Sequence, residues 1–337
     1  MFNGYRRFCI NTNKLGRQRI LEEQIMLDTH ITILERFTIA QDSDIGALSG
    51  VIALDNELYL VGDDVRYLAK TTLKNRINKS TEFEKIPLFE NDKSIGFEPL
   101  IKAEKPDFEA LTSINLNGQQ HILIMGSGST EKRKQALLYN PSNHHIQTLF
   151  NAVDYQFLEK NLELTGGAEL NIEAVCSDAL HLYIFQRGNI NRHHGVLLFE
   201  LAQIQQGKSL AQSYVQALNL HLPNIGDAVS GISDTYYFAP QNVIVATAAV
   251  EQTLNTYDDG LVLGSFIVVL STEGKTLATQ LIQDDKGQPL AIKVEGITWI
   301  ESTPDGEVFL LVTDSDGGDS EVLTVLIKNS FFTQSKA

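Results

Sequence analysis

Apolar residues in this chain occur in short runs, and most of the runs are rich in β-branched or aromatic side chains. ELYLVG at 57–62 and HIQTLF at 145–150 are examples. Glycine, asparagine, aspartate and serine separate the runs, and these residue types favour turns. Short runs between turn residues are typical of antiparallel strands. The pattern therefore predicts an all-β protein.

One short motif recurs where five of these runs begin. Its first residue is glutamate or serine, its second is glycine or alanine, and its third is aliphatic. The five copies begin at Ser49, Glu109, Glu173, Ser230 and Glu295. The intervals between these first positions are 60, 64, 57 and 65 residues. The near-even spacing indicates an internal repeat of about sixty residues.

Further apolar runs follow each copy of the motif after short turns. The second runs lie at 57–62, 121–127, 180–186, 242–248 and 307–313. A third run follows in every unit, and a fourth run follows in the first four units, as at 82–89 and 276–282. Five successive units of four strands each are typical of a β-propeller.

The fifth unit lacks a fourth strand, because the chain ends soon after its third run. ITILERFTI at 31–39 precedes the first motif and has no unit of its own. Its alternation of apolar and polar residues suits a half-buried strand. We expect this strand to complete the last blade and close the ring, which removes exposed sheet edges. The predicted fold is a five-bladed β-propeller of four-stranded antiparallel blades. A six-bladed propeller with one degenerate blade is the alternative, and a two-sheet sandwich is a more distant one.

The propeller is predicted to occupy residues 27–330. Residues 1–26 are basic and polar and lack the apolar core of a signal peptide. We expect them to form an extension outside the fold, and residues 331–337 to form a C-terminal tail.

Composition narrows the classes of partner. The chain has 27 lysine and arginine residues against 42 aspartate and glutamate residues, which gives a net charge of −15. This balance argues against binding to nucleic acid or to an anionic membrane. Two cysteines, Cys9 and Cys176, are too few for a disulfide framework, and no segment approaches the roughly 18 apolar residues of a membrane span. We expect a cytoplasmic protein.

The first strand of each propeller blade lines the central channel, so the first residues of the motifs are expected to form a ring near one mouth. A small second residue lets the strands converge there.

Three carboxylates in one ring repel one another unless they are protonated or neutralised. Ca²⁺ takes about 6–8 oxygen ligands in irregular geometry, and a ring without cysteine or histidine argues against zinc or copper. The predicted ligands of a Ca²⁺ ion are Ser49, Glu109, Glu173, Ser230 and Glu295. The alternative is that the glutamates cap strand amides or bridge blades through hydrogen bonds.

The order serine, glutamate, glutamate, serine, glutamate around five blades resembles the calcium-activated nucleotidase (apyrase) family. The motif also resembles the broader group of phytase-like and esterase-like propellers. The resemblance covers the repeat frame at 31–328 and implies one central Ca²⁺ on the five ring residues. The longer signature segments of the nucleotidase family do not occur in this sequence. The resemblance therefore implies calcium more strongly than it implies nucleotide hydrolysis.

The loops after the second strands are expected to share the face of the ring, where binding groups usually lie. Blades 2 and 3 carry cationic loop residues, and among them Lys132, Arg192 and His193 are predicted to bind a small anionic ligand. Blades 4 and 5 carry acidic loop residues, namely Glu251, Asp258, Asp259, Asp314, Asp316 and Asp319.

These features lead to two hypotheses of function. If the protein is an enzyme, the expected reaction is metal-assisted hydrolysis of a phosphoanhydride or phosphoester. Arg187 would then stabilise negative charge, and Asp63 or Asp314 would orient water. The alternative is a non-enzymatic binding protein or scaffold in which Ca²⁺ is structural.

Overall fold

Five antiparallel sheets contain the strands of this protein, and each sheet corresponds to one predicted repeat. The computed structural model describes residues 29–39, 47–73, 81–89, 100–188, 191–252, 260–314 and 320–333. The extension predicted at residues 1–26 and the loop residues Asp258, Asp259, Asp316 and Asp319 lie outside these ranges.

The first two blades each have the four predicted strands. Blade 1 consists of β2 (Leu48–Leu54), β3 (Glu57–Gly62), β4 (Tyr67–Thr72) and β5 (Glu84–Pro87). Blade 2 consists of β6 (Phe108–Leu116), β7 (Gln119–Gly126), β8 (Ala136–Asn140) and β9 (His145–Phe150).

Blade 4 differs from the others by a short extra strand beside its innermost long strand. Blade 3 consists of β10 (Ile172–Ser177), β11 (His181–Gln186), β12 (His194–Glu200) and β13 (Tyr214–Leu220). Blade 4 consists of β14 (Asn224–Ile225), β15 (Ala228–Phe238), β16 (Val243–Gln252), β17 (Leu261–Ser271) and β18 (Thr276–Leu281). Blade 5 consists of β19 (Lys293–Thr303), β20 (Gly306–Asp314), β21 (Glu321–Ile327) and β1 (Ile31–Thr38).

The ring closes through β1, as the sequence predicted. This strand pairs antiparallel with β21 from Ile31↔Ile327 to Thr38↔Glu321, and the innermost strand of blade 5 contacts the innermost strand of blade 1. Five blades therefore complete the circle, and the six-bladed alternative is excluded.

The small second residue of the motif lies where neighbouring blades converge. A Cβ atom added to Gly50 would lie 3.0 Å from the Cβ of Leu111 in blade 2, and one added to Gly296 would lie 3.1 Å from the backbone nitrogen of Val51 in blade 1. Alanine occupies this place in blades 2 and 3 and is fully buried there. Close approach of the inner strands is the reason for the small residue.

The first residue of the motif forms a β-bulge in four of the five blades. The pairing of the first two strands slips between Leu48 and Gly50, which leaves Ser49 as the extra residue, and equivalent slips leave Glu109, Glu173 and Glu295. A bulge re-aims one side chain and strengthens the local twist. In blade 4 the slip lies between Ile232 and Asp234, so Ser230 is not a bulge residue.

The core is divided among the five interfaces between adjacent blades. Each interface has its own cluster of buried apolar side chains. Phe331 and Phe332, which the sequence placed in a C-terminal tail, lie in a 3-10 helix (Asn329–Thr333) and are buried against blades 4 and 5. The packed part of the chain thus reaches at least Phe332.

Short helices cover the outer edges of blades 2 and 3, where the sequence pattern predicted none. They are α1 (Ala152–Lys160), α2 (Leu162–Thr165), α3 (Leu201–Gln205) and α4 (Leu210–Ser213). Tyr155 of α1 is buried, and its hydroxyl donates to the carbonyl oxygens of Gly126 and Gln135. None of the helices within the described residues has the length and apolar character that a bilayer-spanning helix needs.

Candidate functional site

Residues at three equivalent places in each blade meet at one mouth of the channel. The first place lies two positions before the first residue of the motif, the second is that first residue, and the third lies at the end of the second strand or directly after it. The pairing of Phe108 with Gly126 in blade 2 and of Ile172 with Gln186 in blade 3 sets this register. The third place is occupied in chain order by Asp63, Ser127, Arg187, Glu251 and Asp314. The mouth therefore collects ionisable side chains from all five blades.

Two cations neutralise the carboxylates contributed by blades 3, 4 and 5. The Nη1 atom of Arg187 lies 2.8 Å from Glu173 Oε2, and its Nη2 atom lies 3.3 Å from Glu251 Oε2. The Lys293 Nζ atom lies 3.1 Å from Glu295 Oε1. It also lies 3.6 Å from Glu251 Oε1 and 3.7 Å from Asp314 Oδ2. We call these six residues the Arg187–Lys293 network.

A second network neutralises carboxylates from blades 1 and 2. The Lys105 ammonium contacts Asp63 Oδ2 and lies 3.6 Å from Asp107 Oδ1. The Arg133 Nη1 atom lies 2.7 Å from Asp107 Oδ2, and the Ser127 hydroxyl donates to the same oxygen. Three side chains, those of Lys105, Arg133 and Ser127, thus contact the carboxylates of Asp63 and Asp107.

Asp107 has an unusual backbone conformation at this mouth. Its φ angle is 56°, in the left-handed region that non-glycine residues seldom adopt. Its amide donates to the carbonyl of Asp63 at 3.0 Å, and its carbonyl accepts from the amide of Ser127 at 2.9 Å. Strained backbone of this kind is common at active sites and ligand-binding sites, where the surrounding contacts hold the strained residue in place.

The Glu109 carboxylate at this mouth has no counterion among the described residues. No described residue donates a hydrogen bond to it or lies within ion-pair distance of it, whereas Glu173 and Glu295 have Arg187 and Lys293. Its carboxylate, with those of Asp63 and Asp107, forms a group whose oxygens all lie within 4.8 Å of one another. Glu109 keeps some solvent-accessible surface, as a side chain lining a channel does.

Negative charge exceeds positive charge at the mouth, and the pKa values reflect it. Among the described residues, seven carboxylates, those of Asp63, Asp107, Glu109, Glu173, Glu251, Glu295 and Asp314, lie with four cations, those of Lys105, Arg133, Arg187 and Lys293. Burial and then the charges of Asp107 and Glu173 hold the pKa of Glu109 well above its usual range. Burial raises the pKa of Glu295 to about 7, against the opposing effects of Lys293 and Arg187. The excess negative charge leaves room for an added cation.

Comparison with known proteins assigns a family. A family model described as a family of unknown function (DUF6929) matches residues 44–327, which is most of the propeller. The chain belongs to this family. No curated protein matches the sequence.

Several solved structures share the general arrangement. A glutaminyl cyclase from Myxococcus xanthus is 11% identical, with 88% of this chain and 96% of that chain covered and a TM-score of 0.47. A hypothetical protein from Leishmania major is 10% identical, with 89% and 92% covered and a TM-score of 0.47. A glycosyl hydrolase from Bacteroides ovatus is 8% identical, with 83% and 84% covered and a TM-score of 0.44. Similarity at this level says nothing about the function of this chain.

The structure brings together the residues that the sequence predicted to be catalytic. Asp63, Arg187 and Asp314 all lie at the third place of their blades, at the channel mouth. Arg187, however, is already bound by Glu173 and Glu251. Its guanidinium therefore holds blades 3 and 4 together.

The predicted metal ligands separate into two groups. Glu109, Glu173 and Glu295 are bulge residues at the mouth. The two serine hydroxyls contact backbone carbonyls: Ser230 Oγ donates to the carbonyl of Pro223 at 2.6 Å, and Ser49 Oγ lies 3.5 Å from the carbonyl of Ala47.

The predicted anion-binding residues do not converge. Lys132 Nζ lies 2.7 Å from Glu104 Oε1, in the linker between blades 1 and 2. His193 Nε2 lies 2.8 Å from the carbonyl of Glu163 in α2, and Arg192 Nη2 donates to the carbonyl of Asp227 near blade 4. Each of the three side chains contacts a different segment of the chain.

Several residues of the mouth were not predicted from the sequence. Asp107 and Lys293 each lie two positions before a motif glutamate, and such pairs share a face of a strand. That spacing was a usable signal. Arg133 belongs to the basic loop that follows the second strand of blade 2, and it reaches the mouth from a 3-10 helix (Glu131–Arg133). Lys105 had no such signal, because it lies in the linker between blades 1 and 2.

Proposed function

We propose that this protein binds a divalent cation, Ca²⁺ by preference, at the mouth of its channel through Asp63, Asp107 and Glu109. The observation that carries the proposal is the Glu109 carboxylate, which lacks a counterion although two other carboxylates lie within 4.8 Å of it. An uncompensated carboxylate in such surroundings is costly, and a bound cation would remove the cost.

The ligand chemistry favours calcium. All three candidate ligands are carboxylates, and the Ser127 hydroxyl lies beside Asp107. Oxygen ligands in irregular positions suit Ca²⁺, whereas Mg²⁺ demands near-octahedral geometry and zinc prefers nitrogen and sulfur. The proposed site is offset toward blades 1 and 2, because Arg187 and Lys293 already neutralise the other two motif glutamates.

A thermal melt of protein treated with a chelator, with Ca²⁺ or Mg²⁺ added back, tests the proposal. A ligand present at 100 times its dissociation constant stabilises a protein by about 2.7 kcal/mol, so a Ca²⁺-specific rise in melting temperature is expected. Glu109→Gln should abolish the rise. Glu295→Gln is the matched control, since Glu295 occupies the same bulge position but pairs with Lys293, and it should keep the rise. A wild-type protein indifferent to Ca²⁺, or a rise that survives in Glu109→Gln, would contradict the proposal.

Metal-assisted hydrolysis of a small phosphoester or phosphoanhydride is the second candidate function. Asp63 and Asp314 support it, because both carboxylates lie at the mouth where they could hold a water molecule beside a substrate. A bound cation would stabilise negative charge on such a substrate. A non-enzymatic binding protein has better support than a hydrolase. The Arg187 guanidinium is already held by two carboxylates, and the three predicted anion-binding side chains contact other segments of the chain. Phosphate release from a panel of nucleotides and phosphoesters separates the two, and release that is equal in wild type and Glu109→Gln would rule out catalysis at this site.

A further inference from the structure

Lys105 lies where the proposed cation would bind. Its ammonium contacts one oxygen of Asp63 and is 3.6 Å from one oxygen of Asp107. These carboxylates are two of the three candidate ligands. The side chain is mostly buried, with 16% of its surface exposed.

We infer that Lys105 is an internal competitor for the cation site, so that metal binding is an exchange in which the Lys105 ammonium leaves the carboxylates of Asp63 and Asp107. This inference rests on the proposed function. In the metal-free protein the ammonium acts as a monovalent substitute for the ion. It covers two ligands and leaves Glu109 without a counterion.

Electrostatics make simultaneous occupancy unfavourable. An ammonium and a divalent cation on the same two carboxylates would lie within a few ångströms of each other, where like charges repel by several kcal/mol. The ion carries two charges and also reaches Glu109, so it gains more from the three carboxylates than the ammonium does.

The two cations beside Asp107 are held differently. Arg133 also donates to Ser129 Oγ at 2.9 Å and to the carbonyl of Lys102 at 3.3 Å, so it is fixed by several partners. Among the described residues, the Lys105 ammonium pairs with Asp63 and Asp107 alone. A lysine on a flexible stem can leave its partners more readily than a guanidinium bound at several points. Lys105 is therefore the residue whose ammonium the metal ion displaces.

Calorimetric titration of chelator-treated, full-length protein with CaCl₂ tests the inference. Lys105→Met should bind Ca²⁺ about tenfold more tightly than wild type, or better, because the variant no longer has to displace its own ammonium. Arg133→Met is the matched control: it also removes one positive charge that contacts Asp107, but from the oxygen that faces away from Lys105. Its gain in affinity should be clearly smaller. Equal gains in the two variants would show a general charge effect and overturn the exchange.

Chemical labelling of lysines in the wild-type protein gives a second readout that needs no variant to fold. Amine-reactive labelling followed by peptide mass spectrometry should find Lys105 several times more reactive when Ca²⁺ is bound. The exposed Lys132 should react equally in both states. Unchanged or reduced labelling of Lys105 under conditions where Ca²⁺ binds would overturn the inference.

The outcomes separate the two proposals. If wild type binds Ca²⁺ while Lys105→Met binds it no more tightly, the exchange fails and the cation site stands. If wild type binds weakly but measurably and Lys105→Met binds clearly more tightly, the exchange is supported. If neither protein binds Ca²⁺ or another divalent cation, both proposals fall.

Discussion

Arg187 of blade 3 donates a hydrogen bond to Glu251 of blade 4 across 3.3 Å, and the same guanidinium binds Glu173 at 2.8 Å. The arginine is thus a buried link between two blades at the point where they meet the channel. The contact offsets the cost of burying these charged groups, because a buried carboxylate or guanidinium without a partner lowers the stability of the folded state.

Arg187→Met should strongly destabilise the protein, because it leaves Glu173 and Glu251 buried without their main counterion. Breaking a buried ion pair by removing one partner costs about 3–5 kcal/mol, and urea denaturation would measure the loss. The double variant Arg187→Met with Glu173→Gln should recover part of it, since the uncompensated charge is then smaller.

Arg36→Met is the control for that experiment. Arg36 forms an ion pair with Glu321 at 2.8 Å on the outer edge of blade 5, and 39% of its side chain is exposed. Exposed pairs contribute about 0–1 kcal/mol. Equal losses for Arg36→Met and Arg187→Met would contradict a special role for Arg187.

Glu295 should make the stability of the metal-free protein fall as pH rises. Its pKa is raised from 4.5 to about 7 in the folded state, so the folded state holds this proton more tightly than the unfolded state does. The stabilisation is fully present below about pH 4.5 and is lost as pH rises toward about 7. The loss should reach about 3 kcal/mol at most.

Urea denaturation at several pH values, compared between wild type and Glu295→Gln, measures this contribution. The variant should have a flatter dependence over the same interval, because glutamine does not titrate. Parallel curves for the two proteins would mean that folding does not raise the pKa of Glu295.

Gly296→Ala should destabilise the protein more than Gly50→Ala. The added Cβ at Gly296 would lie 2.5 Å from Val312 Cγ2 and 3.1 Å from the Val51 nitrogen, whereas at Gly50 the shortest contact would be 3.0 Å, to Leu111 Cβ. Overpacking costs about 1–3 kcal/mol, and we expect Gly296→Ala to lie within that range. Melting temperatures of the two variants test the order, and the reverse order would show that blades 5 and 1 have more freedom to separate than blades 1 and 2.

Asp234→Ala should weaken the contact between blades 4 and 5. The buried Asp234 carboxylate accepts hydrogen bonds from the amide of Ile297 at 2.7 Å and from its neighbour Thr235 at 2.8 Å. A buried donor left without a partner costs about 1–3 kcal/mol. Asp234→Asn retains one acceptor oxygen, so urea denaturation should show a smaller loss in its free energy of unfolding than in that of Asp234→Ala. Equal losses for the two variants would assign the effect to packing.

Much of the fold could be predicted because its signals are local and repeated. Each run of β-branched and aromatic residues specifies a strand by itself, and five repetitions of the motif establish the number of blades. The bounds of β3 and β9 match the predicted runs residue for residue. The helices were missed because α1 is short and amphipathic only weakly, and it is held mainly by burial of Tyr155 and Leu158 between blades.

The sequence by itself determined part of the channel mouth: the motif glutamates, and residues at the ends of the second strands, among them Asp63, Arg187 and Asp314. Register and alternation decide those positions, and both can be counted along the chain. Only the tertiary structure decided how these charges pair, because ion pairs depend on distances between blades far apart in sequence. Arg187 meets Glu251 across 64 residues, and Lys105 meets Asp63 across 42. That pairing, which neutralises Glu173 and Glu295 and leaves Glu109 without a counterion, is what locates the candidate cation site.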